Sequence, residues 1–370
     1  MKIFIEPNDV LMFRDGKPFS GGDDHYARGS FPPSPATFYG AIRSKILSDK
    51  FPQYEHYSRG YIPDDIKNEI GTPSSIGTLS ITNFLLARRI AGNIEPVFSV
   101  PKDIVKIKAQ EERFILKPEA QLANHIKSNS PIHALIPLWL KNEMPVEEVS
   151  GFISLETMNK YLEGSVPSKL IDNDDLFTKE ERVGIGKDRI RKTASTGLLY
   201  SVEYFRLKTD VGFIVELNGV KSLPKEGLLR LGGDHRSAIY KEITFQNLEN
   251  IKVKQMVDTS KRFKLILLTP AIFNNGWIPS WIDSKNGEGN INGVSLKIVS
   301  AAVGKPAHIG GFDFVKEMPK DMKKAVPAGG VYYFEIKQGS IDEIFDLFWM
   351  KSISDEKRQE GFGITIIGGY

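Results

Sequence analysis

Apolar positions recur along this chain with two periods, and they divide it into elements. Residues 2–13 alternate, with Ile3, Ile5, Val10 and Phe13 apolar, and predict a strand bent at Pro7, Asn8 and Asp9. Over 37–47 the period becomes helical: Phe38, Ala41, Ile42 and Ile46 share one face, Pro35 precedes it and Thr37 can cap it. Residues 198–207 and 212–218 read as partner strands across a Thr209-Asp210 turn. A short helix is expected over 224–231 and a strand over 236–245. With the stretch 51–180 set aside, the order is β-α-β-β-α-β, the ferredoxin-like order.

The second half repeats it. Strands are expected at 263–269, 294–303, 330–337 and 361–370, a short helix at 277–282, and an amphipathic helix at 340–350 capped by Ser340. The pattern predicts an α+β chain of two tandem ferredoxin-like (RRM-like) domains, residues 1–250 and 251–370, with a seam near 246–260. Within 51–180, strands are expected at 81–89 and 97–108 and short helices at 119–127 and 156–162. No segment there carries a complete core, so the region reads as a large insertion in the first domain.

Composition narrows the class. The chain has 370 residues, enough for two cores, and its 41% hydrophobic and 26% charged residues are those of a soluble globular protein. Glu6, Pro7 and Asp9 interrupt the N-terminus, and no run approaches the ~20 apolar residues of a membrane span. A soluble, cytoplasmic protein is expected. The net charge of +3 is too small to prove a nucleic-acid partner, so any basic surface must be local. There is no cysteine, which excludes disulfides, thiolate zinc sites and cysteine nucleophiles. The six histidines, His25, His56, His125, His133, His235 and His308, show no zinc spacing. There is no GxSxG, no P-loop and no framed carboxylate pair. His25 beside Asp23 and Asp24 reads as part of a polar loop. His235, next to Gly233 and Arg236, is a candidate for acid–base work on RNA, or a loop histidine beside a basic surface. No catalytic set, metal or cofactor is expected.

The densest charge lies at 182–192. Arg182, Lys187, Arg189, Arg191 and Lys192 stand there against Asp188 alone, with Gly184 and Gly186 between them. A basic arm on an anchored strand suits phosphate binding; the alternative is a solvated loop. Three further places could meet RNA. Tyr39, Gly40 and Arg43 lie near a helix N-terminus, which suits an anion, or else they belong to a plain core helix. Gly232 and Gly233 with Arg236 form a turn, and Gly361 and Gly363 a glycine-rich loop, whose amides can approach phosphates. Tyr39, Tyr200 and Phe205 are either stacking surfaces or core.

Taken together, FPPSPATFYGAIRS, ERVGIGKDRIRKTASTGLLYSVEYFR, LGGDHR, KPAHIGGFDF, PAGGVYYFEI and GFGITIIGG resemble the RAMP superfamily of CRISPR proteins. The likeness is to the third-subunit family of the type III-B Cmr effector complex, covers nearly the whole chain, and is weakest over 51–180. It implies two ferredoxin-like domains, a β-hairpin thumb at about 181–197, and a non-catalytic subunit holding the repeat-derived 5′ tag of the CRISPR RNA. It also implies docking to the large polymerase-like subunit and to a backbone RAMP subunit. Arg182, Lys187, Arg189, Arg191, Lys192, Tyr39, Gly40, Arg43, Gly232, Gly233, Arg236, Gly361 and Gly363 are the RNA-contact candidates. Related RAMP nucleases use an N-terminal histidine, for which this chain offers His25 without a clear frame. Two other readings stay open: a metal-independent endoribonuclease that processes CRISPR RNA, and a scaffold that touches only protein.

Overall fold

The computed structural model describes residues 1–14, 26–123, 125–126, 130–132, 135–187, 191, 193–313 and 315–370. The chain is a mixed α/β structure in which sheets predominate and helices are few. Its contacts gather into two compact units, each made of three segments. One comprises Met1–Ile81, Asn173–Thr244 and His308–Lys324; the other comprises Thr82–Asp172, Phe245–Ala307 and Ala325–Tyr370.

In the first unit Lys2–Pro7 is a central strand, with Ile3, Phe4 and Ile5 all buried. It pairs antiparallel with Val211–Asn218 on one side and Ser237–Glu242 on the other, in the registers Ile3↔Val215 and Ile5↔Tyr240. Glu226–Arg230 adds an outer strand to Ser237–Glu242. The helix Pro35–Lys50 buries Phe38, Ile42 and Ile46, and the Phe38 ring lies 4.8 Å from that of Phe213. Its cap is Ser34, not Thr37: the Ser34 hydroxyl accepts the Ala36 amide at 3.3 Å, which places Pro35 at the favoured first helical position.

Two sequence expectations change here. Residues 224–231 form no helix. Pro224 resembled a helix start, but Leu229 is buried and Leu228 exposed, a two-residue alternation that runs through the GGDHR turn as a hairpin. The strand Ala194–Leu207 does not pair with its sequence neighbour Val211–Asn218. It pairs with Phe177–Lys187 over ten registered positions, making a hairpin longer than the thumb expected at about 181–197.

That hairpin is rooted between two apolar clusters. On one face Phe177 and Phe205 meet Phe31, with ring centroids 4.1 and 5.2 Å away. On the other, Val202 and Tyr204 pack with Val10 and Ala27. Beyond the root, Val183, Ile185 and Leu199 are exposed.

In the second unit six strands lie in the order Glu288–Ile291, Val294–Ala302, Val331–Gln338, Arg262–Leu267, Ile364–Gly368, Lys351–Ser352. The expected amphipathic helix is Ile341–Phe348, closed by a capping box of Ser340 and Glu343. No helix forms at 277–282. Ile278 and Ile282 are buried in a loop pinned by isolated bridges and by the Tyr332 hydroxyl, which donates to the Trp277 carbonyl at 2.7 Å. An unexpected helix, Ile251–Ser260, precedes the sheet. Part of the expected insertion belongs to this unit: Asp103 and Tyr161 from it, and Lys264 and Tyr333 from the sheet, form one buried polar network.

Candidate nucleic-acid interface

The antiparallel register decides which hairpin side chains share a face. Glu180 stands opposite Tyr204, Thr178 opposite Arg206 and Arg182 opposite Val202, so Glu180, Arg182, Tyr204 and Arg206 fall on one side. The GGDHR turn and the loop after the first strand bring Asp234, Arg236 and Asp9 to the same place. Arg182 and Arg236 each lie 5.0 Å from the centre of the Tyr204 ring. The Tyr204 hydroxyl donates to Asp234 at 3.1 Å.

Three carboxylates hold the three guanidiniums. Arg182 donates to Glu180 at 2.6 and 2.8 Å, and Arg206 to Glu180 at 3.0 Å and to Asp9 at 2.9 Å. Arg236 donates to Asp234 at 2.7 Å and stands 3.7 Å from Asp9. The arginine bonds hold the Glu180 carboxyl below its usual range. The Val10 amide, and then Arg206, do the same for Asp9. Pairs this exposed add little stability one by one, typically under ~1 kcal/mol. Their effect is to hold the Arg182 and Arg236 guanidiniums over one phenol ring and to tie Arg206 to Glu180 and Asp9, with charges balanced at the root of the hairpin.

Further out, the Tyr200 ring lies across Gly184, where a Cβ would overlap it. Arg191 is exposed at the tip. Lys187 ends its strand, but its side chain is outside the description, and Arg189 and Lys192 lie outside the described residues, as does His25.

The other sequence candidates are placed differently. Arg43 turns inward: it donates to the Tyr57 hydroxyl at 2.8 Å and the Thr72 carbonyl at 3.3 Å, and lies 5.6 Å from the Tyr39 ring centre. Tyr39 is buried. Gly40 is exposed, with nothing within 4 Å of where a Cβ would sit. The amides expected to meet phosphates are mostly spent within the chain. Gly233 donates to Met12 at 2.8 Å, Gly363 to Pro270 at 2.8 Å and Gly361 to Arg358 at 3.1 Å. Gly361 and Gly363 are also buried, so their positive φ angles of 91° and 70° serve a tight internal turn. At Gly232 (φ 75°) a Cβ would collide with the Met12 carbonyl, so this glycine too is explained by close packing.

The sequence reading found Arg182 and Arg236 but not that they meet. It missed Arg206, Tyr204, Asp9, Glu180 and Asp234 as members of the site. Two-residue spacing at 180/182 and 204/206 was the available signal. Among the described residues, no group of three or more His, Asp or Glu is arranged to hold a metal ion, and no helix is long and apolar enough to cross a membrane.

Fold and site together describe a mixed α/β protein that carries a rooted hairpin with an arginine-clasped tyrosine. By sequence the chain belongs to a family of CRISPR-associated proteins, Cas_Cmr3, whose model matches residues 3–369. No curated protein matches it. Among solved structures, a chain of the cryo-EM structure of the Type III-B Cmr-beta bound to cognate target RNA aligns at 15% identity. It covers 94% of this chain and 88% of that chain with a TM-score of 0.51, a likeness of fold. A chain of the Cmr-beta structure bound to cognate target RNA and AMPPnP aligns at 16% identity over 90% and 86%, TM-score 0.49. A chain of the Csm3-Csm4 subcomplex of the type III-A interference complex aligns at 11% identity over 100% and 99%, TM-score 0.39.

Proposed function

We propose that this chain is the third, RAMP-type subunit of a type III-B Cmr effector complex. In this reading it binds CRISPR RNA without cleaving it, holds the 5′ repeat-derived tag, and docks the large polymerase-like subunit to the backbone RAMP subunit. Family membership supports the assembly. The RNA reading rests on one observation: Arg182 and Arg236 clasp Tyr204, with Arg206 tied to the same carboxylates Glu180 and Asp9, at the root of a hairpin whose tip sequence is basic. Single-stranded RNA is held by cations on its phosphates and by stacking on aromatic or guanidinium planes. The root supplies fixed planes, and the tip sequence carries Lys187, Arg189, Arg191 and Lys192 against Asp188.

Strand order supports two ferredoxin-like halves. In the second unit, Arg262–Leu267, Val294–Ala302, Val331–Gln338 and Ile364–Gly368, counted one to four, lie in the order 2-3-1-4. In the first, Lys2–Pro7, Val211–Asn218 and Ser237–Glu242 occupy the places of strands one, three and four. A loop replaces the first connecting helix of the second half, and an added strand replaces the second helix of the first half.

The test is guide affinity of the assembled complex at several salt concentrations. Each phosphate contact of a single strand contributes about 0.7 to the salt slope, so changing Lys187, Arg189 and Arg191 together to alanine should flatten it by roughly two units. Arg206→Gln, which removes a balanced charge, should weaken binding with a smaller change of slope. If the tip variant keeps both its slope and its assembly, the hairpin does not hold the RNA. If RNA binding is unchanged and subunit association falls, the chain is a protein scaffold.

A further inference from the structure

The outer part of the hairpin carries an aromatic ring that the root does not use. Tyr200 stands opposite Gly184 in the antiparallel register, so the two share a face, and Arg182, opposite Val202, shares it too. Val183 and Ile185, at the alternate positions, belong to the other face. An ideal Cβ on Gly184 would lie 2.6 Å from the Tyr200 Oη and 2.7 Å from its Cε2, with Cζ nearer still. A point so placed stands over the plane of the ring, not beside its edge. The ring therefore lies flat on the glycine backbone, an approach that only the missing Cβ permits. Glycine inside a strand weakens it and marks a close approach of this kind.

One face of the ring is thus packed on Gly184 and the other is turned away from the strand; the residue is 37% exposed. Tyr204, nearer the root, is only 7% exposed, with Arg182 and Arg236 against its ring. Tyr204 is spent on orienting guanidiniums, whereas Tyr200 offers a plane. We infer that Tyr200 is a stacking platform for one unpaired base of the guide RNA. The inference rests on the RNA reading of the hairpin. Every base has a π-face, so such a plane holds a nucleotide without reading its sequence. Gly184 lies two residues, about 7 Å, further out than Arg182 on the same face. Arg182, held by Glu180 and the Tyr204 ring with part of its side chain exposed, can meet a phosphate beside the stacked base. The plane is also set in advance: backed by the peptide of Gly184, the ring needs little ordering when RNA arrives.

The experiment measures guide binding by the assembled complex containing the full chain, with 2-aminopurine placed at successive positions of the guide. Stacking quenches the emission of this base, so one position is expected to be dark with the wild type and to brighten with Tyr200→Leu. Tyr200→Leu should weaken guide binding about tenfold without changing the salt slope, because no phosphate contact is lost. Tyr200→Phe should recover most of that loss, since the plane and not the hydroxyl carries the contact. Gly184→Ala, whose Cβ displaces the ring, should weaken binding severalfold alone and have no further effect in the Tyr200→Leu background. A Tyr200→Leu complex that assembles with unchanged affinity, or a scan in which no position responds, overturns the inference. So does a loss of subunit retention at unchanged guide affinity, which would mean that protein covers the ring. If Tyr200→Leu disturbs the fold of the hairpin, Gly184→Ala with the same scan decides. The RNA reading is judged separately by the salt slope of the tip variant: a slope that flattens while Tyr200→Leu is silent removes the platform alone.

Discussion

Replacing Lys264 with methionine should cost about 3–5 kcal/mol of stability, because it strands a buried carboxylate. Asp103 is fully buried and Lys264 is 1% exposed, with 3.6 Å between charges. Asp103 also accepts the hydroxyls of Tyr161 at 2.7 Å and Tyr333 at 2.6 Å, and the Lys264 ammonium lies 3.4 Å from the centre of the Tyr161 ring. Asp103→Asn combined with Lys264→Met removes both charges and keeps an acceptor for the tyrosines, and Tyr333 retains the Leu116 carbonyl at 3.0 Å. The double variant should therefore be better than the sum of the singles by about 2 kcal/mol or more. The pH dependence has a definite sign. Burial pushes the Lys264 ammonium down to about 8, opposed by Asp103, whereas an unfolded lysine titrates near 10.4. Between those values the unfolded chain binds more protons, so stability rises with pH, by about 3 kcal/mol in all, and the gain is lost as pH falls through about 8. Lys264→Met lacks that rise, while the buried tyrosines affect both proteins alike. Urea unfolding from pH 7.5 to 10 measures it. A wild-type-minus-variant difference that is flat with pH, or strictly additive single costs, would refute the reasoning.

Three other outcomes are expected. Gly40→Ala should stabilise the helix Pro35–Lys50 by about 0.5–1 kcal/mol, since a Cβ there meets nothing. Guide affinity should fall if RNA lies against that bare backbone; melting and binding curves separate the two effects, and unchanged affinity removes Gly40 from the interface. Truncation after Gly361 should abolish soluble folding. It deletes Ile364–Gly368, a fully buried strand between Arg262–Leu267 and Lys351–Ser352, and a soluble truncation with a cooperative melt would contradict the assigned sheet. Changing His25 and His235 to alanine should leave guide maturation and target cleavage by the complex intact; loss of either at unchanged guide occupancy would restore the nuclease reading.

Much of the fold was legible wherever a local period had one interpretation. The alternation of Ile3 and Ile5, the run at 263–267 and the Ser340 cap each name an element without help from elsewhere. Pairing was less legible. Residues 194–207 and 211–218 are neighbours across a tight turn, the usual mark of a hairpin, yet the second strand pairs with Lys2–Pro7 and the first turns back to Phe177–Lys187. Nothing local distinguishes these choices. What decides them is aromatic packing among Phe31, Phe177 and Phe205, distant in sequence.

The site divides in the same way. Charge density revealed the basic hairpin, but the acids that neutralise its root come from Asp9, Glu180 and Asp234, and only Glu180 lies beside it in sequence. This changes how the arm works. Arg182 was grouped with the tip cations, yet it is paired with Glu180 and stacked on Tyr204, so it contributes orientation more than net charge. If the hairpin binds RNA as proposed, attraction over distance is expected from Lys187, Arg189, Arg191 and Lys192, and the root is expected to set where the strand comes to rest. Long-range attraction is screened by salt and a fixed stacking plane is not. The two parts of one hairpin should accordingly separate in the salt dependence of guide binding, which a uniform basic loop would not do.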